Sequence, residues 1–431
     1  MTTHMTTGSR LTRGSNLAPV PVPKFEGASS NHTSWLVVVF LLSLLQPSFT
    51  SIYVGELRLT IYRLILLFAV IPCLVKLFSG RIGRVWWCDW FILAHVMWVF
   101  TALCVVEGPA TGLKTGGIYF VEAAGAYLMG RCFIRSSKSF ASVAVLLCWI
   151  VILLAIWTIP EAVLGKHLFT PAEGNVGRRM GLERAYGPFD HPILLGVFCA
   201  SAVGLSWYAL GRDSRLRISK IARTVLICVS AIMSLSSGAT AALVAQFILI
   251  FWDRLTQGWR KRWLLLVLLF MAAYVFVACF SNRTPMTVAL YYLTFNAETA
   301  FGRVVIWDWG TAEISRHPMF GIGLGSWEHP TWISDSIDNF WLATAMLYGL
   351  PAFLTLAGAF LHVIIKVMRL SSPSEIFARL RKAWLTSMTG LIVAACTVFY
   401  WNAIFVLVFF MLGCGVWLLD TRRNPKLSQG K

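Results

Sequence analysis

The sequence predicts an all-α, polytopic integral membrane protein with about twelve transmembrane helices and a large outer loop carrying short helices. Three observations lead there. Hydrophobic residues make up 57% of the 431 and charged residues only 13%, where a soluble protein carries about a quarter charged. Apolar stretches of about twenty residues, the length that crosses a bilayer as a helix, recur down the chain. The lysines and arginines cluster between those stretches in alternation, as they do when basic loops stay on the inner face.

Residues 1–33 are rich in Ser, Thr, Pro and Gly and read as a flexible inner tail. No small-x-small cleavage site follows the first apolar stretch, so a retained span is expected and not a signal peptide. Spans are expected near 35–50, 59–78, 86–106, 115–133, 140–160, 192–210, 223–236, 239–252, 263–281, 340–366, 384–401 and 403–419. They form a single membrane domain over 34–431, closed by a second inner tail at 420–431. With the N-terminus inside, the inner segments collect most of the 37 lysines and arginines. The net charge of +18 then reports topology and excludes a nucleic-acid partner. SSGAT (236–240), between spans seven and eight, allows only a tight hairpin of small residues. All ten cysteines lie in or at the ends of spans, which suits inert buried thiols rather than disulfides or zinc. No internal repeat is visible, which counts against a transporter built from two related halves.

Two outer segments stand out, 161–190 and 282–338, and the second is too long to be a mere connection. Within it AFGRVVIWDWGTAEISR (300–316) is helix-like, Pro318 stops it, and GIGLG (321–325) supplies a flexible turn. Those glycines lack the strand–turn–helix context of a nucleotide site. Topology leaves Arg58, Arg63, Lys114, Lys166, Arg178, Arg179, Arg184, Arg283, Arg303 and Arg316 unexplained, and most of them fall on the outer side. Planar guanidinium forks beside a membrane suit an anion presented by lipid; the plainer alternative is a set of solvated or salt-bridged surface groups. Arg63 lies inside the second span with Glu122 as its expected partner, either as a helix-packing ion pair or as a substrate contact. Asp190 and Asp338 each abut the start of a span, at FDHP and IDNF. There a low-dielectric wall can raise a carboxyl pKa for acid–base work, or the aspartate can cap the helix. His191 and His317 both precede proline, neither has a partner at zinc spacing, and no outer D-x-D occurs, so no metal is expected.

ERAYGPFDHPILLGVF (183–198) resembles the R-x-x-G-x-F-x-x-P pattern of the O-antigen ligase and polymerase superfamily. FGRVVIWDWGTAEISRHPMFGIGLGSW (301–327) resembles its second signature, G-R-x-x-x-W followed by P-x-x-G-x-G. DNFWLATAMLYGLPAF (338–353) resembles the third, which opens the span after the large loop. The resemblance implies a metal-independent glycosyltransferase without cofactor. Its donor and acceptor would be undecaprenyl-pyrophosphate-linked glycans at the periplasmic face of a bacterial inner membrane, with both termini cytoplasmic. A chain-length co-polymerase and a flippase are the implied partners. Arg184 and Arg303 would bind pyrophosphate, and Asp338 and Asp190 are the candidate catalytic carboxylates. Arg63, Arg179, Arg316, His191, His317 and Asn339 are candidate substrate contacts.

Two departures matter. Ligases of this superfamily carry histidine where this chain has Asp338. That favours a polymerase of exopolysaccharide or O-antigen repeats over a ligase moving a finished glycan to lipid A core or protein. Gly238 stands where many members have arginine after a serine-rich turn, which removes a third phosphate contact. A transporter of lipid-linked sugar is the remaining reading, disfavoured because Arg63, Glu122 and His95 are the few ionisable residues in mid-span.

Overall fold

The computed structural model describes residues 34–420 apart from 56, 168, 170–177, 211–216 and 295–296. The expected tail 1–33 lies outside the described residues, as does the expected tail 420–431 except for Asp420, which ends a helix. The helices are α1 (Trp35–Ser43), α2 (Ile61–Phe78), α3 (Trp87–Glu107), α4 (Pro109–Thr111), α5 (Gly117–Phe133), α6 (Ser137–Leu164), α7 (Pro192–Ser201), α8 (Val203–Tyr208) and α9 (Arg217–Met233). They continue as α10 (Ser237–Leu255), α11 (Arg262–Phe280), α12 (Pro285–Leu293), α13 (Ala297–Arg316), α14 (Phe340–Tyr348), α15 (Leu350–Met368), α16 (Glu375–Ala395), α17 (Asn402–Gly415) and α18 (Trp417–Asp420).

Among the described residues, seven helices are long and apolar enough to cross a membrane: α2, α3, α6, α10, α11, α15 and the run Asn402–Asp420. The chain is therefore an α-helical membrane protein. Helix α11 makes the case most directly, since none of its apolar side chains is buried within the protein, and a lipid surround suits an apolar surface left open in this way.

Several expected spans differ in extent, each for a local reason. The first stops at Ser43, so its nine residues reach only about 14 Å of a hydrocarbon core about 30 Å thick. The expected span 340–366 is broken at Gly349, whose φ is +83°. A Cβ on Gly349 would lie 1.9 Å from the Met319 carbonyl oxygen, so the loop after α13 can press against the break only because that residue is glycine. GIGLG is not a flexible turn either. Ile322 and Gly323 donate to the Met346 and Leu347 carbonyls at 2.9 Å, and the Leu324 amide donates to Glu107 at 2.5 Å. A short antiparallel hairpin, β1 (Ile52–Val54) and β2 (Leu57–Leu59), precedes α2 and was not expected from the sequence.

The interior is built on close helix crossings. Helix α5 packs along α17, α3 along α15 and α10 along α16. At the first crossing a Cβ on Gly130 would lie 2.4 Å from the Phe410 oxygen, and one on Gly413 would lie 2.1 Å from the Tyr127 oxygen. Small residues bring two helix backbones together where lipid supplies no hydrophobic drive between them. Gly413→Ala is therefore expected to push α5 off α17 and to destabilise the protein by about 1–3 kcal/mol, read as a lower Tm in detergent. Beside this crossing, Arg131 on α5 is fully buried and bonds Asp420 at 2.7 Å and the Arg84 carbonyl at 2.9 Å. It also faces Asp89 of α3 at 3.4 Å, and Asp89 accepts from Tyr127 at 2.6 Å. This cluster ties α3, α5 and α18 at the end of the bundle away from the serine turn described next.

Candidate active site

Helix α9 ends at Met233, and Ser234, Leu235 and Ser236 turn the chain into α10. Leu235 takes a left-handed φ of +45°, and Ser236 caps α10 by accepting from the Ala239 amide. Small residues crowd round the turn. A Cβ on Gly196 of α7 would meet the Ser234 hydroxyl at 2.2 Å, and one on Gly238 would meet Val398 at 2.5 Å. The first turn of α10 is thus wrapped on two sides, with its unpaired N–H groups at one end of the bundle.

Three arginines meet this turn. Arg184 Nε donates to the Ser234 carbonyl at 3.2 Å, Arg179 Nη1 to the Leu235 carbonyl at 3.0 Å, and Arg303 Nη2 to the Ser237 hydroxyl at 2.9 Å. The loop carrying the first two is fixed locally. Arg179 and Leu182 exchange backbone hydrogen bonds at 3.0 Å around Met180 and Gly181, and the Ala185 amide donates to the Met233 carbonyl at 3.0 Å. Behind it the buried Glu161 accepts from the amides of Tyr186 at 3.2 Å and Gly187 at 2.9 Å. Arg303 comes from α13, which can approach α14 because a Cβ on Gly310 would stand only 2.8 Å from Met346 Sδ.

The cations are held at some electrostatic expense. Arg184 and Arg303 are 5% and 7% exposed. Burial, with Arg179 beside it, lowers the Arg184 pKa to about 10. Burial also lowers that of Arg303, against the opposing pull of Asp338. Arg303 Nε and Nη1 are buried with no hydrogen-bond partner among the described residues. Asp338 acts electrostatically on Arg303, Arg179 and Arg184, yet burial outweighs them and raises its pKa. His191 is pushed down to about 4 by burial first and then by Arg184 and Arg179. It is neutral at physiological pH, with Nδ1 accepting from the Ile193 amide at 3.2 Å, which leaves the proton on Nε2.

The other candidates lie apart or are engaged elsewhere. Asp190 is held by Asn402 at 2.7 Å and by Arg58 of the hairpin at 3.3 Å. Arg63 pairs with Glu122 at 2.7 Å, the partner expected from the sequence, and also bonds the Arg58 carbonyl. Arg316 binds Glu313 at 3.1 Å and also Glu328, and the exposed His317 faces Glu313 at 3.5 Å. Thirteen residues along α13 separate Arg316 from Arg303, about 20 Å of helix. Asn339, not Asp338, caps α14, accepting from the Trp341 and Leu342 amides at 3.1 Å. Asp338, free of the capping duty, instead accepts from the Ser336 hydroxyl at 3.3 Å. The arginine missing at Gly238 could not be housed there, and Arg179 brings a third guanidinium to the same turn. Ser237 and the carbonyls of 234 and 235 are the site groups that sequence reasoning missed; the serine-rich SLSSGAT run was their only signal.

An apolar groove of about 640 Å³ opens beside the turn, between α12, α13, α14, α15 and α16. Trp307 and Thr311 of α13 line one wall and Phe353, Phe360 and Ile364 of α15 another. Asn339 and Thr397 also line it; the first adjoins Asp338 and the second packs on Gly238.

Residues 222–357 match the family model described as O-antigen ligase. The resemblance to the O-antigen ligase and polymerase superfamily holds. The match covers less than half of the chain but takes in the serine turn, Arg303 and Asp338, while Arg179, Arg184 and His191 lie before it. It supports an O-antigen ligase- or polymerase-type membrane glycan enzyme, a class whose substrates are lipid-linked glycans. No curated protein matches the chain.

Proposed function

We propose that the protein is a polymerase that joins undecaprenyl-pyrophosphate-linked oligosaccharide repeat units at the periplasmic face of the inner membrane. The observation carrying this reading is the meeting of Arg179, Arg184 and Arg303 at one capped helix N-terminus beside an apolar groove. The buried Arg184 and Arg303, the latter with two unmet donors, suit a pyrophosphate, and the helix end favours the same charge. The groove offers an apolar wall for the polyprenyl chain that carries it.

In the reaction an acceptor sugar hydroxyl attacks the anomeric carbon of the donor. The bond from that carbon to the pyrophosphate oxygen breaks, and lipid pyrophosphate leaves with the electron pair. The arginines stabilise the charge growing on the leaving group where water is excluded. Asp338, in its ionised form, accepts the hydroxyl proton. His191 keeps its Nε2 proton and serves as a hydrogen-bond donor rather than a base. Arg63, Arg316, His317 and Asn339 act in this reading through the scaffold, since each already has a protein partner, and Asp190 anchors the hairpin. Both termini face the cytoplasm, and a flippase and a chain-length co-polymerase work with the enzyme.

A second reading has one observation in its favour: the matched family model is described as O-antigen ligase. Proteoliposomes holding the purified protein and a lipid-linked repeat unit separate the two. A polymerase yields a ladder of repeat multiples still attached to the carrier. A ligase yields no ladder and transfers a glycan once to lipid A core or protein acceptor. Absence of any transfer with either acceptor would overturn both.

A further inference from the structure

A second cluster of cations lies at the far ends of α9 and α10 from the serine turn. Arg254 is seventeen residues beyond Ser237 on α10, about 26 Å along the helix and close to the thickness of a hydrocarbon core. A cavity of about 340 Å³ opens there between the ends of α8, α9, α10 and α16. Four cations line it, Lys220, Arg254, Arg379 and Lys382, against two carboxylates, Asp253 and Glu375.

Among the described residues the acids leave this charge unbalanced. The buried Asp253 is shared by Lys382 at 2.9 Å, Arg262 at 3.0 Å and the Tyr208 hydroxyl at 3.0 Å. Glu375 is exposed on the first turn of α16. Arg379 holds the Tyr208 and Ala209 carbonyls, at 3.1 and 3.3 Å. Lys220 and Arg254 are instead arranged on an indole, with the Lys220 ammonium 4.2 Å and the Arg254 guanidinium 5.5 Å from the Trp207 ring centre. Trp207 Nε1 is itself buried without a hydrogen-bond partner among the described residues. Basic residues that only set topology need neither a cavity nor a shared aromatic platform. Two cations on one ring repel each other, and an anion between them removes that repulsion.

We infer that this cavity binds a phosphate-bearing anion at the membrane surface opposite the arginine site. Lys220 and Arg254 hold the phosphate oxygens, and Trp207 positions both cations. Cationic pockets between helix ends near the membrane surface are suited to anionic headgroups, and a free phosphate offers the same oxygens. The site is separate from the proposed transferase chemistry, and its test needs no activity measurement.

The full-length protein in detergent is melted with short-chain phosphatidylglycerol, with phosphatidylcholine as neutral control, and separately with inorganic phosphate. Phosphatidylglycerol or phosphate is expected to raise Tm above the phosphatidylcholine baseline. Lys220→Gln/Arg254→Gln loses at least half of that rise, and Arg260→Gln, on an exposed neighbouring position, keeps it. A rise with phosphatidylglycerol alone assigns the site to a lipid headgroup; a rise with phosphate alone assigns it to a free anion. No rise with either, or a rise the double variant keeps, overturns the inference. Should the double variant fail to fold, Arg254→Gln alone, on an exposed side chain, carries the test. Native mass spectrometry then compares phosphatidylglycerol and phosphate adducts on it and on the wild type, and equal occupancy by both ligands is the overturning result.

Discussion

Arg303→Ala is expected to lower chain elongation about 100- to 1000-fold, the loss that follows removal of one preorganised donor to a developing negative charge. Arg184→Ala should cost a similar factor, and the double variant little more than either single, because groups acting on one charge do not contribute additively. Removing the charge while keeping the side-chain volume should leave the resting protein no less stable. Holding Arg184 charged with its pKa lowered from 12.5 to about 10 corresponds to roughly 3 kcal/mol. That penalty applies at any pH below about 10 and disappears only as the residue loses its proton. Arg184→Met and Arg303→Met keep much of the side-chain volume while removing the charge, so their Tm should equal or exceed that of the wild type. Pyrophosphate should raise the Tm of the wild type and not of either methionine variant. A steep fall in Tm for both variants would instead identify the two arginines as braces of the serine turn.

Asp338→Asn should reduce elongation about 100- to 10,000-fold, the range for loss of a positioned base. The pH dependence gives a sharper test. Burial raises the Asp338 pKa above its ordinary value of 3.8, and a base works only when ionised. Wild-type activity is therefore expected to fall as pH drops through this raised pKa, at a higher pH than an ordinary carboxylate would give. The acid limb should vanish in the residual activity of Asp338→Asn. Stability should move the other way. A carboxyl whose folded pKa is raised favours the protonated folded state, so stability declines as pH rises from the unfolded value through the folded one. Asp338→Asn should then melt at or above the wild-type temperature at neutral pH. An acid limb that survives in the asparagine variant would assign proton transfer to another group.

Much of the architecture was legible because lipid imposes a simple rule on sequence. A helix such as α11, apolar all round, has no other stable setting, and the segment containing Arg303 could be read as helix up to Pro318 from its own residues. The Arg63–Glu122 pair was also readable, since a charge within a span requires a partner close by. Less could be read where two short-range roles compete for adjacent residues. Asp338 and Asn339 are both good capping residues, and only the fold decides that Asn339 takes the amides and leaves Asp338 to act electrostatically on the arginines. Arg316 and His317 share a segment with Arg303, yet the length of α13 carries them away from the turn.

By itself the sequence determined the membrane class, the approximate placement of the apolar helices, the unusual arginines and the three motifs that carry the family resemblance. These follow from composition, periodicity and local spacing, which a linear chain displays directly. Tertiary structure alone decided that Arg179, Arg184 and Arg303 share the 234–237 turn, that Gly238 has no room for a side chain, and that Asp190 serves the hairpin. It also decided that α14 and α15 part at Gly349. The physical reason is that each of these outcomes depends on how closely two distant backbones approach, and helix–helix packing sets that distance.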